Sequence, residues 1–245
     1  SHSNIAIAAT NGLAQSYRTS SHSLAVSVLA GQNTEMERDY DYTSAVYRED
    51  LKDPKFIGNN AAIRAVKRLS PKKKETQQVP IVFEPRISGG ILRHYVGAIN
   101  GAAVARGTSF LKDSMGNQVF PKNINIFDDP HRLRGLRSKP FDAEGLPNTC
   151  RQICEDGILT GWVLDLAASR QLNINPTGNA ARGTASPPSP AVTNVYMDAG
   201  EEPPSNLIAD IENGFYVTEL IGMGVNLVTG DYSRGATGFW IENGE

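Results

Sequence analysis

The stretch that decides the fold lies near the C-terminal end of the chain. Residues 214–244 read Gly-Phe-Tyr-Val-Thr-Glu-Leu-Ile-Gly-Met-Gly-Val-Asn-Leu-Val-Thr-Gly-Asp-Tyr-Ser-Arg-Gly-Ala-Thr-Gly-Phe-Trp-Ile-Glu-Asn-Gly. Aromatic and β-branched residues, which favour strands, are interrupted at short intervals by glycines, which favour turns. The pattern predicts a set of short strands over 215–241, joined by glycine-rich turns.

Upstream of this stretch the chain alternates between strand-like and helix-like segments. Short apolar runs predict strands, and longer runs rich in Ala and Leu predict helices. The predicted elements are a strand at 79–83, a helix at 89–106, a strand at 122–127, a helix at 149–172 with a break near Gly157, a strand at 192–197 and a short helix at 206–211. Residues 175–190, rich in Asn, Gly, Ser and Pro, are predicted to form a long loop.

The N-terminal part of the chain is predicted to form antiparallel hairpins. A small-residue apolar run at 4–10 leads into Asn11-Gly12, a strong two-residue turn signal, and a return strand at 13–17 follows. Over most of residues 23–30, small residues (Ser or Ala) alternate with larger apolar ones, and residues 36–42 alternate between acidic residues and larger side chains. Both segments therefore read as strands with one face exposed.

A capped helix and a polar linker follow these hairpins. Asp53 can cap the helix, and Pro54 fits its first position. The predicted apolar stripe consists of Ile57, Ala61, Ile63, Ala65, Val66 and Leu69. Residues 71–78 are rich in Lys and Gln and are predicted to be a linker, which divides the chain into domains at 1–75 and 76–245. The whole pattern indicates an α+β fold of two domains, with helices packed on a mainly antiparallel, curved or barrel-like sheet.

Composition excludes several classes of protein. Hydrophobic residues make up 40% and charged residues 20% of the chain, as in ordinary globular domains. The net charge of −2 gives no general attraction for nucleic acid or anionic lipid. No apolar run approaches the roughly 20 residues of a membrane-spanning helix. Cys150 and Cys154, predicted to share one face of a helix, cannot build a disulfide framework, and this favours a reducing compartment.

The histidines do not show a zinc-binding pattern. The chain has four, which are His2, His22, His94 and His131. None lies in an HExxH helix, and no two share a helical face, whereas catalytic zinc generally requires three protein ligands. His94, within the predicted helix, is by itself more typical of a packed or surface residue.

Acidic residues form the more interesting candidate cluster. Its members, Asp128, Asp129, Asp142 and Glu144, lie in Asp-Asp-Pro and Asp-Ala-Glu-Gly turns. Such carboxylates commonly cap backbone amides in turns. The alternative is that they bind a hard cation or act as acid and base, together with His131.

Two further features have competing interpretations. Ser233 does not match the nucleophile elbow of Gly-x-Ser-x-Gly enzymes, and Arg234 could bind a peptide carboxylate or tie two strands together. Basic residues form two stretches, Arg64, Lys67, Arg68, Lys72, Lys73 and Lys74, and His131, Arg132, Arg134, Arg137 and Lys139. Without interleaved aromatics they favour a solvated face or a protein-protein rim over nucleic-acid binding.

The C-terminal stretch closely resembles the signature of the TldD/PmbA family, on its PmbA (TldE) side. Other motifs agree in order along the chain: Ser109-Phe110-Leu111, Asp128-Asp129-Pro130, Pro140-Phe141-Asp142-Ala143-Glu144-Gly145, Thr177-Gly178-Asn179-Ala180 and Ala199-Gly200. The hairpins and the Asp53-Pro54 helix are similar to the family's middle domain. The resemblance covers nearly the whole chain. It implies a further N-terminal domain before residue 1 and a short closing segment after Glu245.

The resemblance also implies where the family's metal chemistry would lie. TldD carries an H-E-x-x-x-H zinc helix, whereas TldE is its partner without a metal site. Alignment on Gly-Ile-Leu places His94 on the first zinc histidine, Tyr95 on the glutamate and Ile99 on the second histidine. Because Tyr95 offers no carboxylate and Ile99 no donor atom, we expect no cofactor in this subunit and zinc in a TldD-type partner.

The resemblance implies a cytoplasmic subunit that forms a heterodimer with a TldD-like metallopeptidase, or a homodimer, and helps to trim extended peptides. The candidate peptide-binding or structural residues are Asp142, Glu144, Asn226, Asp231, Ser233 and Arg234. Alternatives are a metal-dependent peptidase, alone or as a homodimer, that uses Asp128, His131, Asp142 and Glu144, or a modulator that binds gyrase or nucleic acid.

Overall fold

The computed structural model describes residues 1–245 and divides into two compact units. The first comprises residues 1–78 and 133–136, and the second comprises residues 79–132 and 137–245. Every sheet is open and has two to four strands, so the chain forms no closed barrel. The predicted two-domain α+β fold with mainly antiparallel sheets is confirmed. None of the helices combines the length and hydropathy needed to cross a bilayer.

The first unit consists of two hairpins and one long helix. Its elements are β1 (His2–Ala8), β2 (Ala14–Ser20), β3 (His22–Ala30), β4 (Glu37–Ala45), a 3₁₀ turn (Arg48–Asp50) and α1 (Pro54–Lys67). β1 pairs with β2 and β3 with β4, both antiparallel. The turn between β1 and β2 contains Asn11-Gly12, and Gly12 has a φ of +93°, a conformation that glycine adopts without strain.

Helix α1 begins where its capping residues predict. The Asp53 carboxylate accepts a hydrogen bond from the Lys55 amide at 2.7 Å, and Pro54 follows as the first helical residue. Ile57, Ala61 and Ala65 are buried in this unit. Two residues of the predicted apolar stripe, Ile63 and Val66, are instead more than half exposed, because they lie on the opposite side of the helix.

The second unit contains the remaining elements. They are β5 (Ile81–Phe83), α2 (Pro85–Ala98), α3 (Gly101–Ala105), β6 (Ile126–Asp128), β7 (Arg151–Glu155), β8 (Ile158–Leu159), α4 (Leu166–Leu172), β9 (Ala180–Ala181), β10 (Ser189–Pro190), β11 (Val195–Met197), α5 (Pro204–Ala209), β12 (Asn213–Ile221) and β13 (Gly235–Glu242). The strands form sheets in the orders β13-β12-β5, β11-β6-β7-β8 and β10-β9.

The C-terminal stretch forms two long strands, so the prediction of a set of short strands is wrong. β12 and β13 pair antiparallel along almost their full length, with a register shift between Val217 and Glu219 that absorbs one extra residue. Gly238 permits close strand packing, since a Cβ there would lie 1.9 Å from the Tyr216 carbonyl oxygen. β5 joins the other edge of β12 in parallel.

The prediction of one helix over 149–172 is also wrong. Its first half forms β7 and β8, separated by a turn in which Gly157 has a φ of +81°, and a helix begins only after Asp165. β7 is an inner strand of its sheet, and it lacks the strict alternation of a half-exposed strand. Cys150 and Cys154 therefore share no helical face: Cys150 is exposed and Cys154 is buried.

The predicted helix at 89–106 is two helices. α2 ends at Ala98, and the Asn100 side chain caps α3 by accepting from the Ala102 and Ala103 amides at 3.1 and 3.4 Å. The amide of the Asn100 side chain also donates to the Pro190 carbonyl at 3.0 Å, which fixes this break in place. Both helices contribute to one apolar core with β6, β7 and β8.

Candidate functional site

A small cavity of about 190 Å³ lies beside helix α2 in the second unit. Ile91, His94 and Tyr95 line it from the helix, where their spacing of three and four residues places them on one face. Phe110 and the segment 225–232 form much of the remaining wall. The cavity is mainly apolar, with a few polar groups, as small-molecule and side-chain sites commonly are.

The segment between β12 and β13 forms a tight hairpin that shapes this wall. Val225 and Tyr232 form an antiparallel bridge, and the Gly230 amide donates to the Asn226 carbonyl at 2.8 Å. Gly224 permits the close approach of the two arms, since a Cβ there would lie 1.8 Å from the Ser233 carbonyl oxygen. A larger residue at Gly224 would therefore displace the wall of the cavity.

A backbone contact ties this hairpin to the rest of the unit. The Phe110 amide donates to the Leu227 carbonyl at 2.8 Å. The Leu227 side chain packs against the core and lies close to Gly97 of α2, where a Cβ would be 3.0 Å from it. The wall is thus held to the helix by both a hydrogen bond and apolar packing.

His94 lines the cavity and is half-buried. Its ring meets the Tyr232 ring edge to face, with 5.8 Å between centroids. Burial lowers the pKa of His94, and the nearby cations Arg234 and Arg93 lower it further. Both effects favour the neutral imidazole over the charged form.

Tyr95 and Ile99 are structural parts of the core. The Tyr95 hydroxyl donates to the Ile153 carbonyl at 2.6 Å, and its ring meets Phe120 edge to face at 5.1 Å. Burial raises the pKa of Tyr95 far above its usual range, and the nearby Cys154 raises it further. Ile99 is fully buried within the same core.

The residues at these three helix positions do not fit a catalytic zinc ion. They present one imidazole, one phenol whose hydroxyl is already bonded inside the core, and one buried aliphatic side chain. Elsewhere in the chain, no three His, Cys, Asp or Glu side chains converge as metal ligands would. A zinc ion normally requires three nitrogen, sulfur or carboxylate ligands, so we assign no step to a metal bound by these residues.

Two of the predicted acidic residues are buried and bonded to the backbone or to polar side chains. Asp142 accepts hydrogen bonds from the Glu144, Leu146 and Ala180 amides at 2.9, 2.9 and 3.0 Å. Asp128 accepts from the amide and hydroxyl of Thr193 and from the Asn179 side chain, at 2.7, 2.5 and 2.7 Å. Both oxygens of each carboxylate are occupied, and the two residues organise the loops around them.

The other members of the acidic cluster have similar contacts. Glu144 accepts from the Leu166 amide at 2.8 Å at the start of α4, and burial, the largest effect, raises its pKa. Asp129 caps the turn by accepting from the His131 amide at 2.9 Å, and the His131 ring bonds Asn148 at 2.9 Å. These contacts match the turn-capping interpretation of the cluster.

The predicted residues near the C-terminus divide between cavity and hairpin. Asn226 lines the cavity, and its side-chain oxygen accepts from the Val228 amide at 2.9 Å. Asp231 accepts from the Thr229 hydroxyl at 2.6 Å, and the Ser233 amide donates to the Gly224 carbonyl. Arg234 donates to the Ile221 carbonyl at 3.3 Å, a strand-tying contact.

Most of the residues that line the cavity were not predicted from the sequence, and Ile91, Phe110 and Tyr232 are among them. The helical spacing of Ile91 with His94 could have identified the first. Tyr232 lies between two predicted site residues, Asp231 and Ser233, and only the hairpin pairing reveals that it reaches the cavity.

Comparison with known proteins identifies the family of this chain. The family model described as the PmbA/TldA metallopeptidase C-terminal domain matches residues 76–245, and that of the central domain matches residues 1–69. The chain belongs to the PmbA/TldD metallopeptidase family. The expected family resemblance is therefore confirmed over almost the entire chain.

Curated members of the PmbA/TldD family differ in their similarity to this chain. Metalloprotease PmbA of Escherichia coli O157:H7 is 41% identical over 96% of the chain and 50% of its own length. The PmbA homolog of Haemophilus influenzae is 39% identical over 96% of the chain and 51% of its length. The TldD homolog of the same organism is 29% identical over 85% of the chain and 45% of its own length. The chain thus spans about half the length of the curated relatives it matches.

Several solved structures share the fold of this chain. A protein from Thermotoga maritima named for modulation of DNA gyrase matches with a TM-score of 0.86 and 29% identity, over 96% of this chain and 54% of its own. TldE from Thermococcus kodakarensis matches with a TM-score of 0.83 over 96% of this chain and 54% of its own. Because the two sequences are only 22% identical, this likeness concerns the fold alone.

Proposed function

We propose that this chain forms part of a PmbA/TldE-type subunit that does not itself perform metal catalysis. In this proposal a TldD-type partner supplies the zinc ion and cleaves peptides, and the two proteins associate as a heterodimer. The higher identity to proteins called PmbA than to the TldD homolog supports this assignment.

The observation that carries the proposal is the chemistry of helix α2. Of the three positions corresponding to a zinc helix, only His94 offers a metal ligand. Tyr95 uses its hydroxyl to bond the Ile153 carbonyl, and Ile99 lies in the core. Hydrolysis by a zinc-activated water needs three protein ligands and a base, and this helix supplies neither set.

The contribution of this subunit would then be to position peptides. The hairpin at 222–235 presents a glycine-rich surface with exposed side chains beside an apolar cavity. Recognition of an extended peptide commonly combines backbone contacts with a pocket for a side chain. Asn226 is the predicted binding residue that this geometry favours, since it lines the cavity.

The test is a reconstitution with full-length proteins. The full-length form of this protein, a cognate TldD-type protein and their mixture are purified and assayed for zinc content, heteromer formation and cleavage of unstructured peptides. We expect zinc and peptidase activity in the mixture, with zinc held by the partner. Stoichiometric zinc that is lost from the isolated protein on His94→Ala substitution would refute the proposal.

A matched variant separates the remaining alternative. A stand-alone peptidase built on the acidic cluster would cleave peptides without a partner and would lose that activity on Glu144→Gln substitution. Because Glu144 caps helix α4, a thermal melt of the same variant shows whether any loss arises from unfolding. We expect no cleavage by the protein alone, in either form.

A further inference from the structure

We propose that the cavity beside α2 is a binding pocket for one phenylalanine-sized or leucine-sized side chain of an extended peptide. The inference rests on the proposed function for its choice of peptides as ligands, and it adds the class of side chain. The site uses the helix face on which the family's zinc chemistry would otherwise lie.

The volume of the cavity selects the size of its occupant. An apolar cavity of about 150 Å³ in a protein core holds a benzene molecule. At about 190 Å³, this cavity has room for a phenyl ring and a methylene, or for a branched aliphatic side chain. An alanine side chain would leave most of it empty, and an indole would exceed it.

The lining matches an apolar occupant. Ile91, Phe110 and Leu227 supply aliphatic and aromatic walls, and Tyr232 adds a second aromatic ring near the mouth. Phe110 and Tyr232 are each 45% exposed, so the mouth opens to solvent and a side chain can enter. Aromatic walls favour an aromatic guest in edge-to-face or offset geometry.

Polar groups at the mouth suit a peptide backbone. The side-chain amide nitrogen of Asn226, the Tyr232 hydroxyl and the His94 ring carry no hydrogen bond to other residues of the chain, although the His94 and Tyr232 rings touch. A peptide that buries its side chain would bring its own N–H and C=O groups to this level. These three groups provide both donors and acceptors for them.

The experiment measures binding of capped pentapeptides to the full-length protein without a partner. The probes are acetyl-Ala-Ala-X-Ala-Ala-amide with X as Phe, Leu, Trp or Ala, followed by calorimetry or fluorescence anisotropy. We expect the Phe and Leu peptides to bind about 10- to 30-fold tighter than the Ala peptide, with Trp weaker than Phe. Equal affinity for the Phe and Ala peptides would overturn the proposal.

Two substitutions at the rim change the size of the pocket in opposite directions. Ile91→Trp should fill it and weaken binding of the Phe peptide about 10-fold, whereas Ile91→Ala should enlarge it and favour the Trp peptide. Ile91 is 36% exposed on the helix, so both variants can fold. A reversal of the Phe and Trp preference cannot come from unfolding, and its absence would contradict the pocket.

Two controls separate binding in the pocket from adhesion to the surface. Met223→Ala removes a 95% exposed apolar side chain from the same hairpin, outside the cavity, and should leave Phe-peptide affinity unchanged. An equal loss in this variant would indicate nonspecific adhesion and overturn the proposal. Acetyl-phenylalanine-amide binding as tightly as the pentapeptide would refute the peptide-backbone part.

Failure of the pocket and failure of the proposed function give different results. Peptide binding is measured with the isolated subunit and needs no cleavage, whereas the proposed function is tested by zinc content and by reconstitution. If the heteromer forms but the protein binds all the peptides equally well, only the pocket proposal is refuted. If the protein binds the Phe peptide selectively but also cleaves peptides without a partner, only the non-catalytic assignment is refuted.

Discussion

The cavity beside α2 and the buried carboxylates around Asp142 treat polar groups in opposite ways. Asp142 and Asp128 lie almost fully buried, and both oxygens of each carboxylate accept hydrogen bonds from the protein. At the cavity, the Tyr232 hydroxyl and the Asn226 side-chain amide nitrogen have no partner in the chain, and both residues are exposed to solvent.

The difference separates structural polarity from polarity available to a ligand. A buried carboxylate surrounded by backbone amides fixes loops, and it has no oxygen left free for substrate. A polar group at the mouth of an apolar cavity can still bond an incoming molecule. Acidic residues attract attention in a sequence, yet here the less conspicuous Tyr232 and Asn226 have the free donors and acceptors.

The largest expected effect comes from removing a member of the carboxylate network. Asp142→Ala leaves three backbone amides, those of Glu144, Leu146 and Ala180, without their acceptor. We expect a loss of about 3–5 kcal/mol in unfolding free energy, measured by urea denaturation, because each buried amide left unsatisfied costs about 1–3 kcal/mol. Asp142→Asn, which retains one acceptor oxygen, should lose less. Equal stability of Asp142→Ala and the natural protein would contradict the structural role.

A smaller effect is expected on the buried side of the cavity. Tyr95→Phe removes the hydroxyl that donates to the buried Ile153 carbonyl, and we expect a loss of about 1–3 kcal/mol. The matched control is Tyr232→Phe, whose hydroxyl has no partner in the chain, with an expected change within about 0.5 kcal/mol. Thermal melts of both variants provide the comparison, and similar losses would erase the distinction between the two tyrosines.

The smallest effect depends on pH. Because burial raises the pKa of Glu144, the folded chain retains this proton at a higher pH than the unfolded chain does. The stabilising contribution is complete below the ordinary carboxyl pKa and is lost as pH rises through the raised value. The side chain in the Glu144→Gln variant cannot ionise. The melting temperature of this variant should therefore rise relative to that of the natural protein between about pH 4 and pH 7. A relative decline over that range would reverse the sign and refute the assignment.

Local chemistry made much of the first unit predictable. Asn11-Gly12 marks a turn that glycine geometry requires, and Asp53-Pro54 marks the start of α1 because both residues satisfy helix-end geometry directly. Residues 23–30 alternate because one face of their strand is half-buried and the other is exposed. Each of these signals arises from residues adjacent in sequence.

Nonlocal packing explains the failures in the second unit. Residues 151–155 form an inner strand between β6 and β8, so their pattern lacks the alternation that marks a half-exposed strand. The break at Asn100 depends on a bond to Pro190, which no local window contains. The cavity likewise requires the 222–235 hairpin to reach α2. Thus His94 and Asn226 are each recognisable as candidates in the sequence, but their shared pocket could not be predicted.

The parallel pairing of β5 with β12 sets an order on folding. Its register joins Ile81 to Phe215, so nearly the whole second unit lies between the two partners along the chain. On the ribosome, the N-terminal hairpins can close as soon as they emerge, whereas this sheet must wait until synthesis has passed β12. Pairing over such a separation is slow. Until β12 has been synthesised, the apolar strand β5 has no pairing partner in this sheet. The sheet that contains β5 can therefore form only after β12, near the C-terminal end of the chain, has been synthesised.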